Sequence, residues 1–276
     1  GDSRVNQVRE GGIPLVPRGG ATAGFGGAVP AKGGIVIDFV RMRAIRAASL
    51  ASHRVTVEPG VVWADLEKAL GLHGERLPLY PTSALSATVG GWVAQGGAGI
   101  GSAGQGDLAH NLVSVRAVLG DGSVRDFIGT DIELVYAMEG ITGIITSVTL
   151  STLPASEITP QLFAFASADA AQRFAASAAS LHVWHINVQP PHFVALKNRA
   201  TGEHLPEEWL AFVAYEASEE TGGATSRLAV ESGGCTLPAR QAGHERGERF
   251  LPPPPQNVRP PNVPTHLPLP PRTPPP

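Results

Sequence analysis

Arg18 stands in a run of small residues, Pro17-Arg18-Gly19-Gly20-Ala21-Thr22-Ala23-Gly24, between two apolar stretches at 13–16 and 35–39. Each apolar stretch predicts a strand. Glycines in the intervening turn permit backbone angles that a Cβ forbids. They also let successive N–H groups converge on one anion. The chemistry this suits is capture of a pyrophosphate, although a tight surface turn draws on the same residue types. Two further clusters carry the same character. Pro81-Thr82-Ser83 precedes Thr88-Val89-Gly90-Gly91 and then the dense run Gly96-Gly97-Ala98-Gly99-Ile100-Gly101-Ser102-Ala103-Gly104-Gln105-Gly106. The third is Glu139-Gly140-Ile141-Thr142-Gly143-Ile144-Ile145-Thr146. Three such loops, each beside an apolar run, suggest one extended ligand touched by backbone from several places. A dinucleotide meets that need better than a single phosphate.

The elements that must hold these loops are short. Residues 54–57 predict a strand ending at the turn Glu58-Pro59-Gly60, and 62–70 place apolar residues at helical spacing. Residues 113–119 and 124–128 predict a hairpin across Gly120-Asp121-Gly122. Residues 132–138 predict a short helix capped by Asp131 and stopped by Gly140, and 144–150 a further strand. Beyond Pro154 the texture changes. Residues 169–179 predict a helix, and 182–188 and 210–215 predict strands. No strand is expected at 93–98. From Gly222 onward the periodicity fades, and residues 251–276 hold 13 of the 25 prolines, the composition of a disordered tail. Such a tail suits a linker or an SH3-type ligand, or a shifted or truncated reading frame.

Composition narrows the function. The formal net charge of −3 over 276 residues gives no pull towards nucleic acid or an anionic membrane surface. Cys235 is the single cysteine, which rules out an intrachain disulfide and a multi-cysteine zinc or iron–sulfur site. No apolar run approaches the ~20 residues that span a bilayer, and no signal peptide is visible after Gly1. A cytoplasmic location is the default expectation.

Taken in order, Pro17-Arg18-Gly19-Gly20-Ala21-Thr22, Gly34-Ile35-Val36-Ile37-Asp38, Val57-Glu58-Pro59-Gly60-Val61, Tyr80-Pro81-Thr82-Ser83, Thr88-Val89-Gly90-Gly91, Asp121-Gly122 and Glu139-Gly140-Ile141-Thr142-Gly143-Ile144-Ile145 resemble the FAD-binding domain of the vanillyl-alcohol oxidase and p-cresol methylhydroxylase (PCMH) superfamily. Within it, the glycolate oxidase FAD subunit and D-lactate dehydrogenase group is the most similar. The resemblance covers about half of the chain. It implies that residues 17–23, including Ala23, line the FAD pyrophosphate. Pro81, Thr82, Ser83, Thr88, Val89, Gly90 and Gly91 would continue towards the isoalloxazine. Gly99, Ser102 and Gly106 would pass close to the flavin, and Glu139, Gly140, Gly143, Ile144 and Ile145 would approach the adenosine end. Covalent members carry a histidine where this chain has Thr22, and the only cysteine lies far along, so FAD is expected to be held without a covalent bond. The family has roughly one further βαβ unit before the Pro17 loop, of which only residues 5–10 could remain. Its substrate domain is also longer than 154–222, so the chain reads as a fragment.

The expected fold is α+β: a two-subdomain FAD-binding domain of the PCMH type over 1–153, the start of an α+β substrate (cap) domain over 154–222, and a disordered proline-rich tail over 223–276. The implied activity is an FAD-dependent oxidoreductase. It would take a hydride from a small hydroxy acid such as lactate or glycolate and pass electrons to a quinone, a cytochrome, another acceptor or oxygen. No catalytic base and no metal site is assignable, and partner subunits are compatible with the family. Three rivals fit less well. Gly99-Ile100-Gly101-Ser102-Ala103-Gly104 matches a Rossmann fingerprint, but no strand-like run precedes it and more glycine follows. His182, His185 and His192 form the only histidine cluster, and on a strand the first two would face opposite ways. No G-x-S-x-G elbow exists for serine hydrolysis. A flavin-binding subunit that only supports a catalytic partner is the non-enzyme alternative.

Overall fold

A computed structural model describes residues 12–248, by backbone alone at 47, 48, 50 and 244–248. Residues 5–10, the possible remains of the further βαβ unit, and the proline-rich stretch after 248 lie outside the described residues. The elements, in order, are β1 (Leu15–Arg18), β2 (Ile35–Asp38), β3 (Ile45–Ser49), β4 (Arg54–Val57), α1 (Trp63–Gly71), β5 (Glu75–Arg76), α2 (Val89–Gln95), α3 (Ser102–Gln105), β6 (Leu112–Leu119), β7 (Val124–Ile128), β8 (Gly143–Ser151), β9 (Leu153–Pro154), β10 (Ile158–Phe165), α4 (Ala168–Ala179), β11 (His185–Gln189), α5 (Pro191–Thr201), β12 (Trp209–Glu216), α6 (Glu219–Glu231), β13 (Gly234–Thr236) and α7 (Ala239–Glu248). The first two strands form a parallel pair. A five-stranded antiparallel sheet has the order β3-β4-β8-β6-β7, a four-stranded one the order β11-β12-β10-β13, and β5 pairs with β9. Helix and sheet are mixed without a repeating βαβ pattern, which is the α+β class the sequence suggests.

Local chemistry accounts for the elements. Leu112, Val115 and Ala117 of β6 are buried, while Arg116 faces out and grips Asp126 of β7 through two hydrogen bonds of 2.7 and 2.8 Å. The turn between them closes because Asp121 Oδ1 accepts from both the amide and the hydroxyl of Ser123. Trp63, Leu66 and Leu70 put one face of α1 into the core. In the second sheet, Phe163, Phe165, Ala211 and Val213 pack under Phe174 and Ala178 of α4 and Ala229 of α6. The opposite face carries Leu162, Leu210 and Phe212 into the main core with Trp184, Val194 and Leu205. A sheet buried on both faces gains roughly 1.5–3 kcal/mol per large apolar side chain. Ser167 caps α4 by accepting from the Ala170 amide, and Ser218 caps α6 by accepting from that of Thr221.

Several expectations are corrected. Residues 132–138 are not an α-helix. A 3₁₀ turn spans Gly129–Leu134, and the Asp131 carboxylate takes Arg125 at 2.7 Å instead of capping. Ala137 and Glu139 then adopt φ of 56° and 51°, left-handed values that no right-handed helix can include. β11 begins only at His185, because His182 sits at φ 55°. Residues 223–248 carry the rest of α6, then β13 and α7, where a tail was expected from 223. The buried side of α6 is made of Thr225 and Ala229, residues too small and too polar to register as an apolar stripe.

The glycine-rich run at 99–106 meets the second sheet here. Trp184 Nε1 donates to the Pro78 carbonyl at 2.7 Å, and the Gly104 amide donates to the Trp184 carbonyl at 3.2 Å. A Cβ on Gly101, whose φ is 103°, would lie 2.5 Å from the Pro78 oxygen and 2.6 Å from Trp184 Nε1. Gly101→Ala is therefore expected to cost about 2 kcal/mol or more in urea unfolding. An unchanged midpoint would show that this seam does not bind the two sheets together.

Candidate functional site

The site begins at the parallel pair. Arg18 lies opposite Asp38, and the Phe39 amide donates to the Arg18 carbonyl at 3.0 Å, so the chain leaves β1 in a fixed direction. It then turns through Ala21 at φ 51°. Gly20 is pressed against the segment leading into α2: a Cβ there would stand 2.0 Å from the Ser86 carbonyl oxygen. At Gly19 a Cβ would stand 2.2 Å from Thr88 Oγ1. The third segment closes from the other side. Gly140, at φ 80°, lies so close to Pro17 that a Cβ would be 2.5 Å from its Cγ. Between the three is a cleft of about 1020 Å³, part of it open to solvent.

The cleft brings together Pro17, Arg18, Gly19, Gly20, Ala21, Thr22 and Ala23 with Ser83, Thr88, Gly90 and Gly91, and with Glu139, Gly140, Gly143 and Ile145. The amides of the three segments are not equivalent. Val89 N–H donates to the Val61 carbonyl, Gly90 N–H to that of Pro59 and Gly91 N–H to Thr88 Oγ1. That segment offers a hydroxyl and bare Cα surface, not free donors. Among the described residues, by contrast, no acceptor meets the amides of Gly19, Gly20, Ala21, Thr22 or Ala23. Five consecutive donors beside an arginine are groups that could receive an anion. The hydroxyls of Ser83 and Thr22, 3.3 Å apart, mark its edge.

Other predicted residues lie elsewhere. Val89 is fully buried in the core, and Ile144 points away from the cleft because alternate residues of β8 face opposite sides. Pro81 and Thr82 are not among the lining residues. Gly99, Ser102 and Gly106 belong to the seam run: the Gly99 amide donates to Ser102 Oγ at 2.8 Å, and Gly106 packs against the His110 ring. Phe39, Pro59 and Trp92 line the cleft without having been assigned to it. Trp92 stands edge-on to Trp63 at 5.1 Å and also walls off Gly99, so it serves core and cleft together. His182 is exposed, His185 is buried beside the Gly101 amide, and His192 lies on α5. No group of three or more His, Cys, Asp or Glu is placed to hold a metal among the described residues.

Two polar clusters stiffen the walls. Glu58 accepts from the Ala44 amide at 2.8 Å and pairs with Arg46 at 2.5 Å. The Ala44 bond, with Arg46 added, holds the Glu58 carboxyl below its ordinary range. This ties the Pro59 turn, and through it Gly90, to the rim of the five-stranded sheet. Tyr136 accepts from the Gly97 amide at 2.8 Å and reaches Asp107 at 3.4 Å, and burial pushes its hydroxyl pKa up. Tyr136 thus fixes the start of the turn that presents Glu139 and Gly140.

Residues 3–127 match the family described as FAD binding domain. Over those residues the chain is similar to an FAD binding domain. Its cofactor is FAD, and the amides of residues 19–23 with the side-chain-free approach at Gly19 and Gly20 suit a dinucleotide diphosphate. Among similar proteins, the mitochondrial D-lactate dehydrogenase (cytochrome) of Arabidopsis thaliana is 33% identical over 147 residues, which is 50% of this chain and 26% of that protein. A glycolate oxidase subunit of Bacillus subtilis is 30% identical over 161 residues, 55% of this chain and 34% of that one. The chain therefore spans about a quarter to a third of these relatives. A solved alkyldihydroxyacetonephosphate synthase shares the fold with a TM-score of 0.80 at 18% identity, covering 93% of this chain and 52% of that structure. Among the described residues no helix is long and apolar enough to cross a membrane.

Gly20→Ala must displace the Ser86 carbonyl, whereas a Cβ on Gly24 meets nothing within 4 Å. FAD affinity measured by flavin fluorescence is expected to fall about tenfold or more in Gly20→Ala and to stay within about twofold in Gly24→Ala. Equal values for the two would remove the Gly20 approach from the binding site. A carboxyl whose pKa is lowered on folding contributes stability above its unfolded pKa and loses it as pH falls through the folded one. Chemical unfolding at steps from about pH 6 to pH 3 should therefore show a shallower decline in Glu58→Gln than in the unaltered chain.

Proposed function

We propose that one FAD is held without a covalent bond in the cleft, its diphosphate against the amides of residues 19–23 and Arg18, and that the site oxidises a small 2-hydroxy acid of the lactate or glycolate kind. The observation that carries the binding mode is a set of five consecutive residues, lining a cleft shared by three distant segments, whose amides meet no acceptor among the described residues. The names of the D-lactate dehydrogenase and glycolate oxidase relatives support the substrate class. Thr22 supports the non-covalent mode: among the described residues the cleft lining includes no His or Cys, and Cys235 lies in β13 on the second sheet.

FAD supplies acceptance of a hydride at its N5 atom. The chain's own part is placement. Gly19 and Gly20 admit the diphosphate to the backbone, Thr88 offers its hydroxyl, and Trp92 with Phe39 excludes water from the floor. We assign residues 1–153 to FAD binding and the sheet that starts beyond 154 to the substrate side. The seam at Gly101, Gly104 and Trp184 brings the two together. A single cysteine fits a reducing compartment, and we assign the cytoplasm. A second reading, a flavin-holding subunit whose turnover needs a partner chain, is favoured by the Bacillus relative being named a subunit.

Purified chain should show flavin absorption bands near roughly 375 and 450 nm, and acid precipitation should leave the yellow colour in solution. Anaerobic D-lactate or glycolate should bleach the longer-wavelength band. Colour that stays with the precipitate would overturn the non-covalent mode. Bound flavin that neither acid bleaches would replace the oxidase reading with the subunit one.

A further inference from the structure

Among the described residues, Trp92 is the one tryptophan or tyrosine that lines the cleft. Behind it, edge-on, stands Trp63, with ring centroids 5.1 Å apart and ring planes at 82°. Both rings are buried. One carbonyl ties them together: Thr88 O accepts from Trp63 Nε1 at 3.2 Å and from the Trp92 amide at 3.0 Å. Two indoles therefore run in file from the cleft wall into the core, fixed relative to one another. Indole gives up a single electron more readily than the other aromatic rings, and a phenyl ring such as that of Phe39 holds its electrons far more tightly. A flavin excited by blue light is a strong one-electron oxidant. Electron transfer weakens steeply with distance, so rings in contact exchange electrons fastest. Trp63 suits a positive charge in transit. The negative end of the Thr88 carbonyl faces its N–H, and an amide carbonyl is too weak a base to take the proton. Burial makes a lasting charge there costly, which drives its neutralisation.

We propose that Trp92 and Trp63 form a two-step electron relay that quenches the light-excited state of the flavin held in the cleft. Trp92 gives one electron to the excited ring system, Trp63 refills Trp92, and the electron then returns to Trp63. No bond forms or breaks and no proton leaves, so the net result is release of the absorbed energy as heat. The relay spares the site the reactive oxygen that excited flavins generate. This rests on the FAD reading above and puts the flavin ring, not the adenine, against Trp92. In the FAD-loaded full chain, flavin emission per bound FAD is expected to be weak and short-lived. Trp92→Phe should brighten it several-fold at equal FAD occupancy, and Trp209→Phe, in β12 of the second sheet, should leave it unchanged. Transient absorption of the unaltered chain after a blue pulse should show the indole cation-radical band, and Trp63→Phe should shorten its lifetime. That measurement decides the matter even where Trp92→Phe fails to fold. Bright emission from the unaltered chain overturns the proposal, and so does the absence of the radical band or an unchanged lifetime in Trp63→Phe. Failure of the unaltered chain to bind FAD overturns the FAD reading and the relay with it.

Discussion

The loop after β1 can lie where it does only because two residues in it have no side chain. A single methyl group at Gly20 would sit inside the Ser86 carbonyl, and one at Gly19 would sit on Thr88. Removing those two Cβ positions lets backbone meet backbone. Beside that contact, the amides of residues 19–23 meet no acceptor among the described residues. The rest of the cleft is built around this constraint. α2 starts where Thr88 can cap it, Pro59 takes the Gly90 amide, and Gly140 closes against Pro17. The binding surface is thus a product of main-chain proximity more than of side-chain chemistry.

This explains which parts were legible in the sequence. Glycine-rich segments at 17–24, 88–91 and 139–145 announced themselves by composition, and they do share one cleft. The strands at 54–57 and 124–128 have the expected bounds, because their alternation and flanking turns are unambiguous. The run at 99–106 shows where composition misleads. Its glycines are as dense as those of the cleft, yet they admit Val183 and Trp184 from the segment that leads into β11. A glycine reports that something comes close; it does not report whether that thing is a ligand or another part of the chain.

Other elements were hidden for different reasons. β10 contains Pro160, which argues against a paired strand, yet burial of Leu162, Phe163 and Phe165 overrides that local preference. α6 begins with Ser218 and two glutamates, a good helix start, but its buried side is too small to show as periodicity. The turn at 137–140 needed left-handed backbone at two residues other than glycine, a strain that tertiary hydrogen bonds impose and that no local pattern signals. Trp92 resisted classification because one ring faces the core and the cleft at once.

The short strand β13 has a role out of proportion to its three residues. It zips the outer side of β10 at Phe163, Ala164 and Phe165. Without it, a long apolar strand would end the sheet with open N–H and C=O groups, the kind of exposed edge on which other chains pair and aggregate. Residues 234–236 therefore act as a selvage, and the solubility of the whole second layer hangs on a segment that looks dispensable in the sequence.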